Sequence, residues 1–344
     1  MPQKNQGCEV SEGEVVMACF RVPAKAGTSG RRALHQSAVQ SSLARIWTQE
    51  TGLSRGLTFP FGGAKTHAMP KIAICAPSTP FSQDDAARVI ALAVAEFPDA
   101  ELHFHPQCFA VEGHFAGPDA LRLTAFLECA NDPAFDAVWF VRGGYGANRI
   151  APQVIERLDC HAKDKVFLGY SDGGTLLGAL YRTRIGHPVH GPMVADIRRE
   201  GGEAAVRRAL GFLCGDRGGL EPSLDGQHPV VAFNLMTLAM LCGTPLMPGL
   251  AGHVVMVEEV SEYLYAVDRL FFHLTAHLGG VAGLRLGRVS DVPENDRPFG
   301  ATAEEIARHW CASHAIPFLG SADIGHDAAN KIVPFGLAGL RNGQ

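Results

Sequence analysis

The stretch VFLGYSDGGTLLGAL, residues 166–180, decides the fold that we predict for this chain. An apolar run ends at Ser171, two glycines follow almost at once, and residues 175–180 have the composition of a helix. The small residues Gly169 and Gly173 flank the serine and allow a sharp backbone turn there. The stretch therefore predicts a buried strand that turns into a helix, with one serine at the tip of the turn.

Ser171 has two possible roles in such a turn. The pattern Gly169-x-Ser171-x-Gly173 fits a nucleophile elbow, in which the strand-to-helix turn lifts a reactive serine out of the sheet. A serine that merely caps the following helix has the same neighbours. The five residues alone leave both interpretations open.

The composition describes an ordinary soluble globular protein. The chain has 344 residues, enough for two domains, with 47% hydrophobic and 19% charged residues. Its net charge of −5 does not indicate a basic surface, so neither nucleic acid nor an anionic membrane is expected as a partner.

Cysteine usage and hydrophobic runs indicate the compartment. Nine cysteines are dispersed without a Cys-x-x-Cys pair, and several lie in apolar runs, which favours reduced thiols and a cytoplasmic location. The sequence has no run of 18 apolar residues and hence no predicted membrane-spanning helix. Its first 30 residues also lack the pattern of a secretory signal.

Residues 1–68 differ in composition from the rest of the chain. They carry eight Lys or Arg against four Asp or Glu, and they are rich in Ser, Gly and Gln. The first clear strand begins just after Met69. We therefore expect Met69 to lie close to the true start, with residues 1–68 a disordered extension or a mis-assigned start, and a targeting segment as the less favoured alternative.

From residue 71 the hydrophobic pattern alternates between strands and helices. Strands are predicted at 71–77, 101–105, 137–141, 165–170, 253–260, 284–289 and 317–322. Helices are predicted after a Ser82 cap and at 118–129, 151–158, 203–214, 234–241, 265–277 and 303–314.

This alternation predicts an α/β fold with mainly parallel sheets. We expect an amino-terminal parallel-sheet, Rossmann-like domain at 69–195 and a smaller carboxyl-terminal α/β domain at 230–344, joined by a linker at 196–229. Because ligands gather at the carboxyl ends of parallel strands, the loop at 142–146 and Ser171 should share one rim.

A serine nucleophile needs a base, and histidine has a suitable pKa. Of the 15 histidines, His326 stands in a polar loop after a strand, and His190 follows a short apolar stretch. His103 and His105 share a strand face near Cys108, as a metal pair could, but no fourth ligand follows at metal spacing. We interpret these two as polar tips of an edge strand, and we predict no metal site.

The base in turn needs a carboxylate, and the oxyanion needs two N–H donors. Glu258 lies near the end of the apolar strand at 253–260, where it could orient a histidine or simply mark the point at which the strand reaches water. The N–H of Asp172 and that of Gly143 or Gly144 are the candidate oxyanion donors. The same glycine loop lacks the spacing of a phosphate-binding loop.

Several motifs, in order along residues 70–342, match one family. They are Ile72-Ala73-Ile74-Cys75-Ala76-Pro77-Ser78, Arg142-Gly143-Gly144-Tyr145-Gly146, Gly169-Tyr170-Ser171-Asp172, His190-Gly191-Pro192-Met193, Asn234-Leu235 with Gly243-Thr244-Pro245, Val257-Glu258-Glu259-Val260 with Asp268-Arg269, and Gly325-His326. The chain resembles the LD-carboxypeptidases, also called muramoyltetrapeptide carboxypeptidases, a serine peptidase family that includes the microcin C immunity peptidases.

The resemblance implies a nucleophile Ser171, a general base His326 and an orienting Glu258, in a site between the two domains. It implies an oxyanion hole from Asp172 and the 143–144 pair, no metal and no cofactor. It further implies a cytoplasmic homodimer that removes a terminal D-amino acid, typically D-alanine, from the L,D bond of a murein tetrapeptide during peptidoglycan recycling.

A free substrate carboxylate requires cationic or N–H donors. Arg142 and Arg149 lie next to the glycine loop and are candidates for this role, although Arg142 could equally be a structural partner of a carboxylate. Tyr145, in the same loop, is the third candidate substrate-binding residue.

The chain also departs from the family pattern. It has Ala232-Phe233-Asn234 for Gly-Gly-Asn, Glu258-Glu259 for Glu-Asp, and Gly173-Gly174 for bulkier residues. Two of these departures, at 232–234 and 173–174, lie near the expected pocket and put the choice of substrate in doubt.

Three alternatives remain open: a microcin-type immunity peptidase that cleaves a peptidyl- or acyl-nucleotide amide, an α/β-hydrolase-like esterase, and a non-catalytic binding protein of the same architecture.

Overall fold

Two mainly parallel sheets form the framework of residues 69–337, the part of the 344-residue chain that this computed structural model describes. The expectations for residues 1–68 therefore lie outside the described residues. The strands are β1 (Lys71–Cys75), β2 (Glu101–Phe104), β3 (Ala137–Phe140), β4 (Val166–Gly169), β5 (His187–His190), β6 (Val230–Asn234), β7 (Val254–Val260), β8 (Gly283–Ser290), β9 (Phe318–Ser321) and β10 (Val333–Pro334). The larger sheet has the order β10-β5-β4-β3-β1-β2, and the smaller sheet has the order β6-β7-β8-β9.

Helices connect the strands, and side-chain caps begin several of them. The helices are α1 (Gln83–Glu96), α2 (Asp119–Asn131), α3 (Ala147–Arg157), α4 (Gly174–Thr183), α5 (Gly202–Leu213), α6 (Leu235–Leu241), α7 (Leu264–Thr275) and α8 (Ala303–Ser313). Ser82, Asn234 and Thr302 accept a hydrogen bond from a backbone N–H in the first turn of α1, α6 and α8. Within residues 69–337 the structure has no helix of the length and hydrophobicity that a membrane span requires.

The predicted α/β class is confirmed, with four local differences. Strand β5 was not predicted, because the sequence indicated only a short apolar stretch there. Helix α3 begins at Ala147 rather than at residue 151, and Pro152 lies within it at the cost of one backbone hydrogen bond. Strand β6 was not predicted, although its five residues are all buried and pair with β7 along their whole length. Strand β10 was also missed, because two residues are too few to carry a periodic pattern.

The segment at 196–229, predicted as a linker, contains the well-packed helix α5. Val206, Leu210 and Leu213 of this helix are buried in the same hydrophobic cluster as Ile72 and Ile74 of β1. Helix α5 therefore covers one face of the larger sheet. The domain boundaries themselves stay a prediction.

The chain after β9 joins the two sheets. Strand β10 pairs antiparallel with β5, and two residues later Gly336 exchanges backbone hydrogen bonds of 2.8 and 2.9 Å with Val230 at the start of β6. A single hydrophobic cluster also runs through both sheets and includes Phe140, Tyr170, Phe233 and Val257. The loop between β9 and β10 is thus fixed at the junction, next to the carboxyl ends of β4 and β7.

Candidate active site

Ser171 follows β4 in a short turn of 3₁₀ helix, Ser171–Gly173, that leads directly into α4. Its φ angle of 57° is in the left-handed region, which costs a non-glycine residue about 1–2 kcal/mol. The Ser171 side chain caps neither the 3₁₀ turn nor α4. This geometry is that of a nucleophile elbow, and the helix-cap interpretation of Ser171 is wrong.

His326 and Glu258 continue from the serine in one line of hydrogen bonds. His326 Nε2 lies 3.0 Å from Ser171 Oγ, and His326 Nδ1 lies 2.5 Å from Glu258 Oε2. The serine comes from the larger sheet, the glutamate from β7 and the histidine from the loop between β9 and β10. The structure thus brings the three predicted side chains together across 155 residues of chain.

Glu258 is fully buried, which sets the electrostatics of the line. Burial raises the pKa of its carboxyl group, and the adjacent His326 ring opposes this shift through its charge and its hydrogen bond. A positive charge on the His326 ring would therefore be stabilised by a carboxylate that water does not screen.

Polar contacts that the sequence did not indicate hold the His326 loop in place. Arg288 on β8 forms ion pairs with Asp323 and Asp327 on either side of the histidine. The buried Asn330 Oδ1 accepts a hydrogen bond from the Gly325 N–H and lies 3.1 Å from His190 Nε2. His190, the other candidate base, therefore contacts the His326 loop through Asn330, whereas His326 is the histidine within hydrogen-bond distance of Ser171.

Tyr170 packs against the histidine from the side of the larger sheet. Its ring centroid is 4.8 Å from that of His326, and its hydroxyl donates a 2.8 Å hydrogen bond to Asp196 Oδ1. Arg199 donates both to Asp196 and to the Tyr170 hydroxyl, at 2.7 and 3.3 Å. Burial raises the pKa of this hydroxyl, so it remains protonated and keeps the ring in place.

The predicted glycine loop lies against the serine. A side-chain methyl at Gly143 would lie 2.8 Å from Ser171 Oγ, and one at Gly144, where φ is 104°, would lie 2.5 Å from Thr79 Cγ2. The buried Thr79 hydroxyl donates a 2.6 Å hydrogen bond to the Gly143 carbonyl and fixes the loop. Only glycine allows the backbone this close to the serine.

The Asp172 side chain connects the serine turn to its neighbours. Its Oδ2 accepts hydrogen bonds from the Ser78 hydroxyl at 2.5 Å and from the Ala147 N–H at 2.9 Å. Burial raises the pKa of this carboxyl group, and the two donors oppose that shift. The side chain thus fixes the loop after β1 and the start of α3 relative to Ser171.

Two pockets meet at Ser171 and His326. The smaller one, here called the arginine pocket, has a volume of about 290 Å³ and is lined by Arg142, Gly143, Gly144, Tyr170, Ser171, Met193, Ala195, Asp196, Arg198, Arg199 and His326. Arg198 pairs with Asp85 and Arg199 with Asp196, whereas Arg142 has no ion pair or hydrogen bond within residues 69–337. Burial, together with the charge of Arg198, lowers the pKa of Arg142, as expected for a cation without a counter-ion in the described part of the chain.

The larger pocket has a volume of about 570 Å³ and shares Gly144, Ser171 and His326 with the arginine pocket. Tyr145, 48% exposed, lines this pocket together with Met236 and Met240 from α6. Arg149 lines neither pocket. Its Nε donates to both carboxylate oxygens of Asp119, at 2.8 and 3.0 Å, so the structure does not bring this candidate to the serine.

The predicted edge-strand histidines have other partners. His105 Nε2 lies 2.8 Å from Glu128, and the buried Cys108 thiol lies 3.3 Å from the Ile74 carbonyl. Within the described residues, the one group of three side chains with the spacing of a metal site is exposed and consists of Asp159, Cys160 and His161. Exposed groups of this kind are common in proteins without a metal ion.

Two family models, one for the amino-terminal part of the chain and one for the carboxyl-terminal part, match the same class of enzyme. The model of the LD-carboxypeptidase N-terminal domain matches residues 72–191, and that of the LD-carboxypeptidase C-terminal domain matches residues 228–339. The chain therefore belongs to the LD-carboxypeptidase family, and it is a peptidase.

Two proteins of similar sequence agree with this assignment. The chain is 25% identical over 301 residues to the murein tetrapeptide carboxypeptidase of Pseudomonas aeruginosa, covering 80% of this chain and 94% of that protein. It is 31% identical over 236 residues to a protein of Streptomyces coelicolor that is named as a carboxypeptidase, covering 65% and 74%.

Solved structures share the fold. The muramoyltetrapeptide carboxypeptidase of Oxalobacter formigenes superposes with a TM-score of 0.65 at 24% identity, over 77% of this chain and 93% of that one. MccF in complex with glutamyl sulfamoyl guanosine gives 0.64 at 17% identity, over 78% and 92%.

Proposed function

We propose that the protein is a serine carboxypeptidase that removes the terminal D-amino acid, typically D-alanine, from the L,D bond of a murein tetrapeptide. The observation that carries the proposal is the line of hydrogen bonds from Ser171 through His326 to the buried Glu258. Membership of the LD-carboxypeptidase family and the name of the Pseudomonas aeruginosa relative support the choice of substrate.

In the acylation step, Ser171 Oγ attacks the carbonyl carbon of the scissile bond while His326 Nε2 accepts the hydroxyl proton. Glu258 accepts the hydrogen bond from Nδ1–H and stabilises the imidazolium that forms. The N–H groups of Asp172 and of Gly143 or Gly144 stabilise the oxyanion, a role supported by the close approach of the glycine loop to the serine.

The intermediate then collapses, and the bond to the leaving nitrogen breaks. His326 donates its proton to that nitrogen, and the D-amino acid leaves through the arginine pocket. Arg142, the cation without a partner there, binds the carboxylate of the leaving amino acid. Water then attacks the acyl-serine with His326 as base, which releases the shortened peptide acid and restores the serine hydroxyl.

The cellular setting belongs to the same proposal. Removing D-alanine from murein tetrapeptides fits peptidoglycan recycling in the cytoplasm by a homodimeric enzyme, as the resemblance to the family implies. The dispersed cysteines support a reducing compartment, and every cysteine within residues 69–337 is a free thiol.

A second candidate is a microcin-type peptidase that cleaves a peptidyl- or acyl-nucleotide amide. The observation in its favour is the exposed Tyr145 ring in the larger pocket, where a nucleobase could stack. The same serine chemistry would apply. The two candidates therefore differ only in what the larger pocket and the arginine pocket bind.

Substrate comparison tests the proposal. The intact protein is incubated with L-Ala-γ-D-Glu-meso-diaminopimelate-D-Ala, with aspartyl sulfamoyl adenosine and with a p-nitrophenyl ester, and products are measured by mass spectrometry and absorbance. We expect D-alanine release to have the highest kcat/KM. Faster cleavage of the sulfamoyl compound would favour the second candidate, and hydrolysis of the ester alone would favour an esterase.

A further inference from the structure

The larger pocket differs in charge from the arginine pocket. Besides Ser171 and His326, it is lined by Gly144, Tyr145, Asn148, Pro152, Asp172, Thr175, Asn234, Met236, Thr237, Met240, Leu241, Thr244, Pro245, Leu246, Glu259, Val260 and Glu262. Neither lysine nor arginine is among these residues, whereas three arginines line the arginine pocket. The two pockets that share Ser171 therefore differ in the balance of their charged residues, with arginines in one and carboxylates in the other.

Two glutamates in this pocket differ in what they already bind. Glu259 is buried and accepts hydrogen bonds from Asn234 Nδ2 at 2.6 Å and from the N–H groups of Met236 and Val260, both at 2.9 Å. Glu262 is only partly buried and has no hydrogen bond or ion pair within the described part of the chain. Glu262 is thus the carboxylate that is available to a ligand.

The backbone turn before Glu262 fixes its position. Ser261 has a φ angle of 61°, and its N–H donates a 3.0 Å hydrogen bond to the Ser290 carbonyl at the end of β8. The chain therefore leaves β7 in a defined direction, toward the pocket, and Glu262 lies four residues beyond Glu258.

We propose that Glu262 is a specificity residue that binds a primary ammonium group on the acyl side of the scissile bond. This inference rests on the proposed function, which assigns the leaving carboxylate to the arginine pocket and the acyl part of the peptide to the larger pocket. A residue with an amino group in its side chain matches the charge of the larger pocket, and such a diamino acid would occupy the position before the terminal D-amino acid.

Three peptides and three proteins test this inference. The peptides are L-Ala-γ-D-Glu-L-Lys-D-Ala, the same peptide with Nε-acetyl-lysine, and the same peptide with norleucine. The proteins are the wild type, Glu262→Gln, and Glu294→Gln as a control with the same charge change at an exposed site outside both pockets. The readout is kcat/KM for D-alanine release, compared as a ratio between peptides within each protein so that differences in folded fraction cancel.

We expect the wild type and Glu294→Gln to prefer the lysine peptide over both neutral peptides by about fivefold, as a partly exposed ion pair allows. This preference should disappear in Glu262→Gln. In the wild type it should weaken as the salt concentration is raised from about 0.05 to about 0.5 M, because salt screens the attraction between exposed charges. An equal preference in wild type and Glu262→Gln, or none in the wild type, would overturn the role of Glu262 while leaving the peptidase activity intact. Absence of D-alanine release from every peptide would instead contradict the proposed function, and the inference with it.

Discussion

At the residue scale, a strained serine and a buried carboxylate define the site. Ser171 adopts a left-handed backbone conformation that costs stability, and the Glu258 side chain is fully buried. Neither feature stabilises the fold by itself. Both fit a nucleophile and an orienting acid on either side of His326.

The first prediction concerns Arg142, the cation without a partner in the arginine pocket. Replacing it by glutamine removes the charge that pairs with the leaving carboxylate, a contact expected to contribute about 1.5 kcal/mol. We expect kcat/KM for the tetrapeptide to fall about tenfold, mostly through KM. The measurement is the ratio of kcat/KM for the peptide carboxylate to that for its carboxyl-terminal amide, which should fall in Arg142→Gln.

Arg149→Gln is the matched control for this experiment. Its guanidinium pairs with Asp119 outside both pockets, so the ratio between carboxylate and amide substrates should be that of the wild type. If Arg149→Gln lowers the ratio and Arg142→Gln does not, the assignment of the carboxylate site is wrong.

The three central side chains of the candidate site could be predicted from the sequence, but the residues that hold the His326 loop in place could not. Ser171, His326 and Glu258 each lie in a recognisable motif, and the structure brings them within hydrogen-bond distance. Arg288 and Asn330 carry no local signal, because their importance comes from partners 35 and 140 residues away. The same reason explains why sequence proximity suggested Arg149, whose partner Asp119 lies on another helix.

At the element scale, the site depends on how closely backbone segments approach. The loop after β3 lies against the serine turn, and the Thr79 hydroxyl in the loop after β1 holds it there. Three loops from the carboxyl ends of neighbouring parallel strands therefore build the nucleophile side of the site, as expected for this class of sheet.

The second prediction concerns Gly143. A methyl group there would lie 2.8 Å from Ser171 Oγ and 2.9 Å from its Cβ, so the serine or the loop must move. We expect Gly143→Ala to lower kcat about 100-fold or more, the effect of losing one oxyanion donor. The measurement is steady-state D-alanine release, with circular dichroism to confirm folding.

Gly249→Ala provides the comparison for this variant. A methyl group at Gly249 meets no atom within 4 Å, and we expect activity within about twofold of the wild type. Wild-type activity in Gly143→Ala would show that the glycine loop does not contribute to the oxyanion site.

Elements with a clear hydrophobic period could be predicted, and those defined by tertiary pairing could not. Helix α1 has a Ser82 cap and a regular apolar face, and it appears where expected. Strand β6 ends at Asn234, which also caps α6, so the strand and the helix share a boundary without a loop. No turn signal separates them, which is why the sequence indicated only the helix.

At the scale of the whole molecule, the two sheets act as one unit because the carboxyl-terminal segment joins them. Val333 pairs with His190 in the larger sheet, and Gly336 pairs with Val230 in the smaller one. The histidine of the site is carried by the loop just before this segment. The distance between Ser171 and His326 therefore depends on the junction between the sheets.

The third prediction uses the buried His190 at this junction. Burial lowers the pKa of His190 from 6.5 to about 4 in the folded protein. His190 therefore binds a proton more weakly in the folded protein than in the unfolded chain. Neutral His190 does not lower the stability above pH 6.5, but the protein loses stability as the pH falls from 6.5 toward 4. Between pH 7.5 and pH 5 the wild type should lose about 2 kcal/mol of unfolding free energy from this group.

The measurement is urea unfolding at both pH values. His190→Gln keeps a hydrogen-bond donor for Asn330 but does not titrate, so its loss of stability between the two pH values should be smaller by about 2 kcal/mol. Replacing the exposed His309 by glutamine should leave the wild-type pH dependence unchanged. Parallel pH profiles for the wild type and His190→Gln would contradict this account.

The most direct test of the central claim compares D-alanine release by the wild type and by Ser171→Ala on the synthetic murein tetrapeptide. The claim predicts release by the wild type and a rate lower by about 10⁴-fold or more in the variant, because the acyl-serine cannot form. Mass spectrometry should detect the acylated wild-type chain at early times and no such adduct on the variant. Equal rates of D-alanine release by the two proteins would contradict the claim that Ser171 is the nucleophile.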